Sequence, residues 1–150
     1  MAEVERTLRA VAETVVPGPP RDEAFGAAEI EAELFLAHYL ETLIPGLSEG
    51  VVTLLDGLAA EAVPETTFLD LAVDERAAVL QRLASHEVAD LRDLGDLLIV
   101  LSIAAVYGEW SGLDSNGELT RVPLGWELTG WPGPSEGERS LLRKRIGGKS

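Results

Sequence analysis

The residues of this sequence that could support acid–base chemistry are few, and they lie together in one apolar segment. His38 stands three residues before Glu41, and at 100° per residue a helix would bring Glu31, His38 and Thr42 within about 40° of one another. A histidine beside a carboxylate is the smallest general-base pair. Because no nucleophile or oxyanion donor is recognisable beside it, we prefer a simpler interpretation, a polar stripe in which His38 hydrogen-bonds to a neighbour.

A second polar pattern, in which Asp90, Asp93 and Asp96 repeat every three residues, could hold a cation. A carboxylate-bridged metal centre needs Glu-x-x-His motifs on facing helices, and the sequence has none. The chain also has no cysteine, which excludes disulfides, cysteine-bound zinc and iron–sulfur clusters. We therefore interpret the aspartates as a solvated acidic start of a helix, and we expect no metal and no cofactor in this chain.

The elements that must position these residues are predicted to be helices. Before residue 108, apolar residues recur at spacings of three and four, as in Val4, Leu8, Val11 and Val15. This spacing predicts an all-α fold, a bundle of about five helices joined by short connections. The predicted helices cover residues 4–16, 28–44, 48–62, 74–85 and 87–107, to within a few residues at each end.

Two of the predicted helices are rich in apolar residues. The helix over 28–44 is apolar around most of its circumference, which is typical of a helix enclosed by its neighbours. The helix over 87–107 contains the longest apolar run of the chain, Leu97–Gly108. A membrane span needs ~20 residues, and this run has only twelve. We therefore predict no membrane span and interpret the run as the buried centre of a core helix.

The C-terminal part of the chain has a different composition. Residues 108–137 contain seven glycines, three prolines and all three tryptophans. Sequence rich in glycine and proline is typical of loops, yet tryptophan is costly to leave in water. The predicted organisation is a helical bundle over 1–108, an irregular docking segment over 109–138 and a basic terminus over 139–150. The segment packs either on its own bundle or on another protein, and the residues predicted to anchor a partner are Tyr107, Trp110, Trp126, Trp131 and Pro132.

Charge is distributed unevenly along the chain. The net charge is −14, but residues 139–150 contain five Lys or Arg and no acid, so residues 1–138, with 7 basic and 26 acidic residues, carry −19. An acidic body repels phosphate, which argues against a nucleic-acid partner. We interpret the basic end as a solvated, frayed terminus. The acidic start Met1–Arg6 has neither a secretory signal nor a twin-arginine pair, and we expect a cytoplasmic protein.

Several segments, taken in order, resemble the gluconate 2-dehydrogenase subunit 3 family. Members of this family are small accessory subunits of FAD-dependent oxidoreductases of the glucose–methanol–choline type. The resemblance covers about residues 6–134. The segments that carry it are the end of the first helix, Leu8–Gly18; Phe68–Leu71 followed by Asp74–Arg76 and Val79–Leu80; Ala105–Gly108; and Gly125–Trp126 with Gly130–Gly133.

The resemblance implies a helical, non-catalytic subunit that helps a large FAD-dependent partner to mature, remain stable or be exported. The FAD and the catalytic residues would belong to that partner, which oxidises a sugar, a polyol or a related alcohol. Many relatives carry a twin-arginine signal, and its absence here favours a stabilising role over export. Two other hypotheses remain open. One is a small stand-alone enzyme or ligand binder that uses His38 with Glu31 or Glu41, and the other is a self-associating helical protein without an enzyme partner.

Overall fold

The computed structural model describes residues 2–18, 26–108, 110–112 and 120–133. Over these residues the chain is helical and has no strand, which confirms the predicted all-α class. The basic terminus over 139–150 lies outside the described residues. The α-helices of the described part are α1 (Glu3–Val15), α2 (Ala32–Leu43), α3 (Leu47–Ala62), α4 (Val73–Ala84), α5 (Ala89–Tyr107) and α6 (Leu124–Thr129), with short 3₁₀ turns at Ala27–Ile30, Phe68–Asp70 and Trp110–Gly112.

The core is built around α1, which packs against α2, α3, α4 and α5. Leu8 and Val11 of its apolar stripe are fully buried, as the three-and-four spacing predicts. Phe68, the largest fully buried side chain, enters the same core from the 3₁₀ turn before α4. Fully buried leucines complete the core, namely Leu36 and Leu40 of α2, Leu55 of α3, Leu83 of α4 and Leu98 of α5.

Carboxylates hold the starts of several helices and turns, so part of the acidic charge has a structural role. Glu5 accepts the Ala2 amide at 3.1 Å, and Glu75 accepts the Ala72 amide at 2.8 Å. In each case the third residue of the helix reaches back to an amide that has no partner within the helix. The same kind of contact occurs at two 3₁₀ turns. Glu29 accepts the Gly26 amide at the turn Ala27–Ile30, and Asp70 accepts the Thr67 amide at the turn Phe68–Asp70.

The helix predicted over 28–44 is interrupted near its start. Residues Ala27–Ile30 form a 3₁₀ turn, and Glu31 then adopts a left-handed conformation with φ of 53° before α2 begins at Ala32. The helical wheel that places Glu31 beside His38 assumes one unbroken helix. That part of the sequence prediction is therefore wrong, because the backbone changes direction between the two residues.

One charged side chain of the first turn of α2 is buried in the bundle. Glu33 is 4% exposed, and its Oε2 atom has no hydrogen-bond partner among the described residues. Arg9 of α1 lies 3.9 Å from Glu33 Oε1, while it also pairs with Glu13 at 3.2 Å and donates to the Ala28 carbonyl at 3.0 Å. Burial raises the pKa of Glu33, against the smaller opposing effects of its backbone amide and of Arg9.

The bundle leaves apolar residues of α2 and α5 exposed to solvent. On α5, Val100 is 59% exposed and Ile103 is 43% exposed, while Leu98 and Val106 of the same helix are fully buried. On α2, Leu34 is 41% exposed on the side away from Leu36, and Tyr39 and Leu43 are 45% and 55% exposed. The prediction that neighbours enclose the helix over 28–44 is therefore wrong, and the apolar run of α5 is buried on one side only.

Neither exposed face belongs to a helix that could cross a membrane alone. Within the described ranges, no single helix is long and apolar enough for a span. Among the described residues, α2 and α3 taken as a pair would meet that requirement if judged by length and composition alone. These two helices are bent by 112° relative to each other.

Candidate functional site

The residues predicted for acid–base chemistry are not assembled around His38. Glu41 accepts hydrogen bonds from the backbone amides of Gly46 at 2.8 Å and Ser48 at 3.1 Å, so it caps the start of α3. The Gly46 hydrogen bond is the main reason that the pKa of Glu41 is lowered. Thr42 donates its hydroxyl to the His38 backbone carbonyl at 2.7 Å. The side chains of Glu41 and Thr42 thus hydrogen-bond to nearby backbone groups and not to the His38 imidazole. Glu31 lies before the break that precedes α2.

His38 contacts aromatic rings. Its imidazole is nearly parallel to the Trp110 ring, with 6.5 Å between ring centroids and an interplanar angle of 21°. Phe35, one helical turn earlier, meets Trp110 edge-on at 5.4 Å and Tyr39 at 4.7 Å. These contacts tie the end of α5 to the outer face of α2, because Trp110 follows α5 directly. His38 is therefore a component of an aromatic cluster that comprises Phe35, His38, Tyr39 and Trp110.

The three aspartates at the start of α5 are all exposed. Among the residues that the structure describes, no group of three or more His, Cys, Asp or Glu side chains is placed to hold a metal ion. His86, which precedes this helix, accepts the Val88 amide at its Nδ1 atom over 3.1 Å. The three aspartates are thus exposed to solvent at the start of α5, as the sequence predicts.

The residues predicted to anchor a partner divide into an exposed and a buried set. Tyr107 is 52% exposed, Trp131 is 45% exposed, and Pro132 is also exposed. Trp110 is half-buried against α2. Trp126 is only 6% exposed, so its ring has almost no surface to offer a partner. For Trp126 we correct the prediction, because the ring is covered by the chain itself and holds the segment in place.

The segment over 120–133 is seated on the end of α5 through α6. A Cβ atom on Gly125 would lie 2.5 Å from the carbonyl oxygen of Tyr107, so glycine permits the two backbones to approach. Gly130, with φ of 67°, ends α6, and the Trp131 amide then donates to the Trp126 carbonyl at 3.0 Å. This turn brings the Trp131 ring edge-on to the Trp126 ring, at 4.4 Å between centroids.

The candidate site is therefore a surface rather than a pocket. It combines the exposed apolar residues of α2 with those at the end of α5 and after α6. The buried Trp126 contacts the ring of Trp131, and the aromatic cluster connects Trp110 to α2. We call it the docking surface, and its residues are Tyr39, Leu43, Tyr107, Trp110, Trp131 and Pro132.

Sequence reasoning missed the α2 side of this surface. Phe35 and Tyr39 stand at a spacing of four on a helix, which is a visible signal for a contact within that helix. The contact of Phe35 with Trp110 joins positions 75 residues apart in the chain. No local pattern in a single sequence indicates a contact of that kind.

Comparison with family models, with curated proteins and with solved structures finds no match to this chain.

Proposed function

We propose that this chain is a non-catalytic small subunit that binds and stabilises a flavin-dependent oxidoreductase acting on a sugar or a related alcohol. The observation that carries the binding role is the docking surface, where Tyr107 and Trp131 are about half exposed. Large, rigid aromatic side chains of this kind are enriched among the residues that dominate binding energy at protein interfaces. The choice of a flavoprotein as the partner rests on the family resemblance of residues 6–134.

The open faces of α2 and α5 support the same proposal. Their exposed apolar residues lie outside the core, which is formed by fully buried leucines and Phe68. Exposed apolar residues on neighbouring elements are typical of a protein–protein contact site. The acidic body favours a partner with a basic face, because complementary charge guides association and disfavours wrong partners. FAD is expected in the partner and not in this chain.

The direct test is to co-express the chain with a glucose–methanol–choline type flavoprotein encoded beside it and to purify the complex through a tag on the small subunit. We expect a stoichiometric complex that has the absorbance of a flavin. Trp131→Ala should reduce the affinity by about fivefold or more, since the truncation of an interface anchor costs over ~1 kcal/mol. Val63→Ala, at the exposed end of α3, is the control and should leave the affinity unchanged.

The competing hypotheses give different results in the same preparation. A self-associating protein would form oligomers without the flavoprotein, and Trp131→Ala would dissociate them. A stand-alone enzyme centred on His38 would lose activity in His38→Ala while its fold stayed intact. If the flavoprotein is never retained, or if Trp131→Ala and Val63→Ala bind it equally well, the proposed function is wrong.

A further inference from the structure

The outer face of α5 carries a row of exposed residues that is acidic at one end and apolar at the other. Five residues, Asp93, Asp96, Val100, Ile103 and Tyr107, follow one another at spacings of three, four, three and four. This is the spacing of a helix seam that packs against another helix. At 1.5 Å per residue the stripe is about 21 Å long. We call it the α5 stripe, and it joins the docking surface at Tyr107.

The apolar half of the α5 stripe has no cover within the described residues. Val100 and Ile103 are 59% and 43% exposed, although both belong to a helix whose opposite side is packed. The helices α1, α2 and α4 contact α5 and bury Leu98, Ser102 and Ala105. A covering molecule would therefore lie along the solvent side of α5.

The other half of the stripe is acidic and exposed. Asp93 and Asp96 are both open to solvent. Arg92, the one basic residue of α5, donates to the His86 carbonyl at 3.4 Å, beyond the helix start. The stripe therefore presents negative charge at its N-terminal end and apolar side chains at its C-terminal end, so its two ends differ in the partner groups that they favour.

We infer that the α5 stripe is the docking site for an amphipathic helix of a partner protein, with Arg or Lys side chains opposite Asp93 and Asp96 and aliphatic side chains opposite Val100 and Ile103. Helix-in-groove recognition uses anchors at this spacing, and the charge pattern fixes the orientation of the incoming helix. The inference rests on the proposed function only for the identity of the protein that carries this helix.

A second copy of the chain does not fit the stripe. In a parallel pair the aspartates of the two copies would face each other. In an antiparallel pair, Asp93 of one copy would face the Tyr107 end of the other, where the stripe has no cation. The −19 charge of residues 1–138 adds repulsion to both arrangements.

The experiment uses the full chain and a synthetic helical peptide of about three heptads. One end of the peptide seam carries lysines and the other carries leucines, and a second peptide of the same composition has the lysines spread over all faces. We expect the seam peptide to perturb backbone amide NMR signals over residues 93–107, with weaker binding of the scrambled peptide. Asp96→Lys should weaken binding of the seam peptide at least about fivefold. Glu49→Lys reverses one exposed charge on α3 and should weaken it less than twofold.

Several results would overturn this inference. One is a perturbation centred away from α5, or an equal loss of affinity in Asp96→Lys and Glu49→Lys, because either means that only net charge matters. Another is a concentration-dependent shift of the same amides in the free chain, which would show a second copy on the stripe. If Arg143→Glu with Lys144→Glu moves those amides in the free chain, the chain's own basic end occupies the stripe. The peptide titration needs no flavoprotein, so its failure is distinct from failure of the proposed function.

Discussion

The interior of the bundle and the docking surface use apolar side chains in opposite ways. Inside the bundle, Phe68 and Leu8 are completely covered, and every long helix contributes to the same core. At the docking surface, Tyr107 and Trp131 remain about half exposed, although Trp126 beside them is buried. The comparison suggests that folding and binding depend on separate residues. Changes inside the bundle should cost stability, while changes at the docking surface should cost binding.

The largest separation should appear between two aromatic truncations. Phe68→Ala should lower the free energy of unfolding by about 3–5 kcal/mol, because it leaves a large cavity in the core. Trp131→Ala should lower it by less than about 1 kcal/mol, because half of its ring is already in water. Chemical denaturation of both variants measures the difference. Equal losses of stability would show that the docking surface belongs to the folding core.

Two glycines offer a matched pair, since each lies where two backbones approach closely. A Cβ on Gly95 would lie 2.6 Å from the Ala84 nitrogen, between α5 and α4, so Gly95→Ala should destabilise the whole bundle by about 1–3 kcal/mol. Gly125→Ala should instead push α6 off α5 at Tyr107. We expect the Trp126 fluorescence to shift towards that of a solvated ring while the denaturation midpoint of the bundle changes little. If Gly125→Ala lowers that midpoint as much as Gly95→Ala does, the two regions are not separable.

Glu33 gives the interior a dependence on pH. Because burial raises its pKa above the ordinary 4.5, the folded state binds the proton more tightly than the unfolded state does. Stability should therefore fall as pH rises from 4.5 through the raised folded value, and it should recover as pH falls. Glu33→Gln removes this penalty, so the variant should gain stability relative to the original chain at pH 7 more than at pH 4. Glu13→Gln, which alters the more exposed partner of Arg9, is the control. An advantage that does not change with pH would contradict this account of Glu33.

The smallest effect concerns a glycine with no tertiary role. Gly57 is in the middle of α3, and a Cβ there would meet nothing within 4 Å. Gly57→Ala should raise stability by about 0.5–1 kcal/mol, since glycine is a poor residue for a helix interior. Flavoprotein binding should stay unchanged, because the substitution lies outside the docking surface. A loss of stability in a thermal melt would reveal a contact at Gly57 that the packing does not show.

The sequence predicts the existence of the five long helices well, because their apolar stripes are regular. The stripe of Val4, Leu8, Val11 and Val15 indicates α1 without any tertiary information. The break at Glu31 is harder to predict, because the residue pattern continues across it. The short helix α6 is missed for a different reason. It lies among glycines and prolines, and its position depends on the close approach of the Gly125 backbone to the Tyr107 backbone.

The candidate site is only partly visible in the sequence. Composition alone singles out Trp110, Trp126 and Trp131, since large aromatic residues in a glycine-rich segment need an explanation, but it does not show that Trp126 is buried. Periodicity shows which side of a helix can be buried but not whether the chain supplies a cover, so the sequence predicts an enclosed helix over 28–44 where α2 has exposed apolar residues. The acidic residues are equally ambiguous, because capping carboxylates such as Glu75 and exposed ones such as Asp96 look alike in a list of residues.

The measurement that most directly tests the central claim is amide hydrogen exchange of the full chain with and without the co-expressed flavoprotein. If the docking surface binds the partner, exchange should slow around residues 107–112 and 126–133 and on the exposed side of α2, while the amides of α3 and α4 should change little. Protection confined to α3 and α4, or no change in exchange at the docking surface in a complex that demonstrably forms, would contradict the claim.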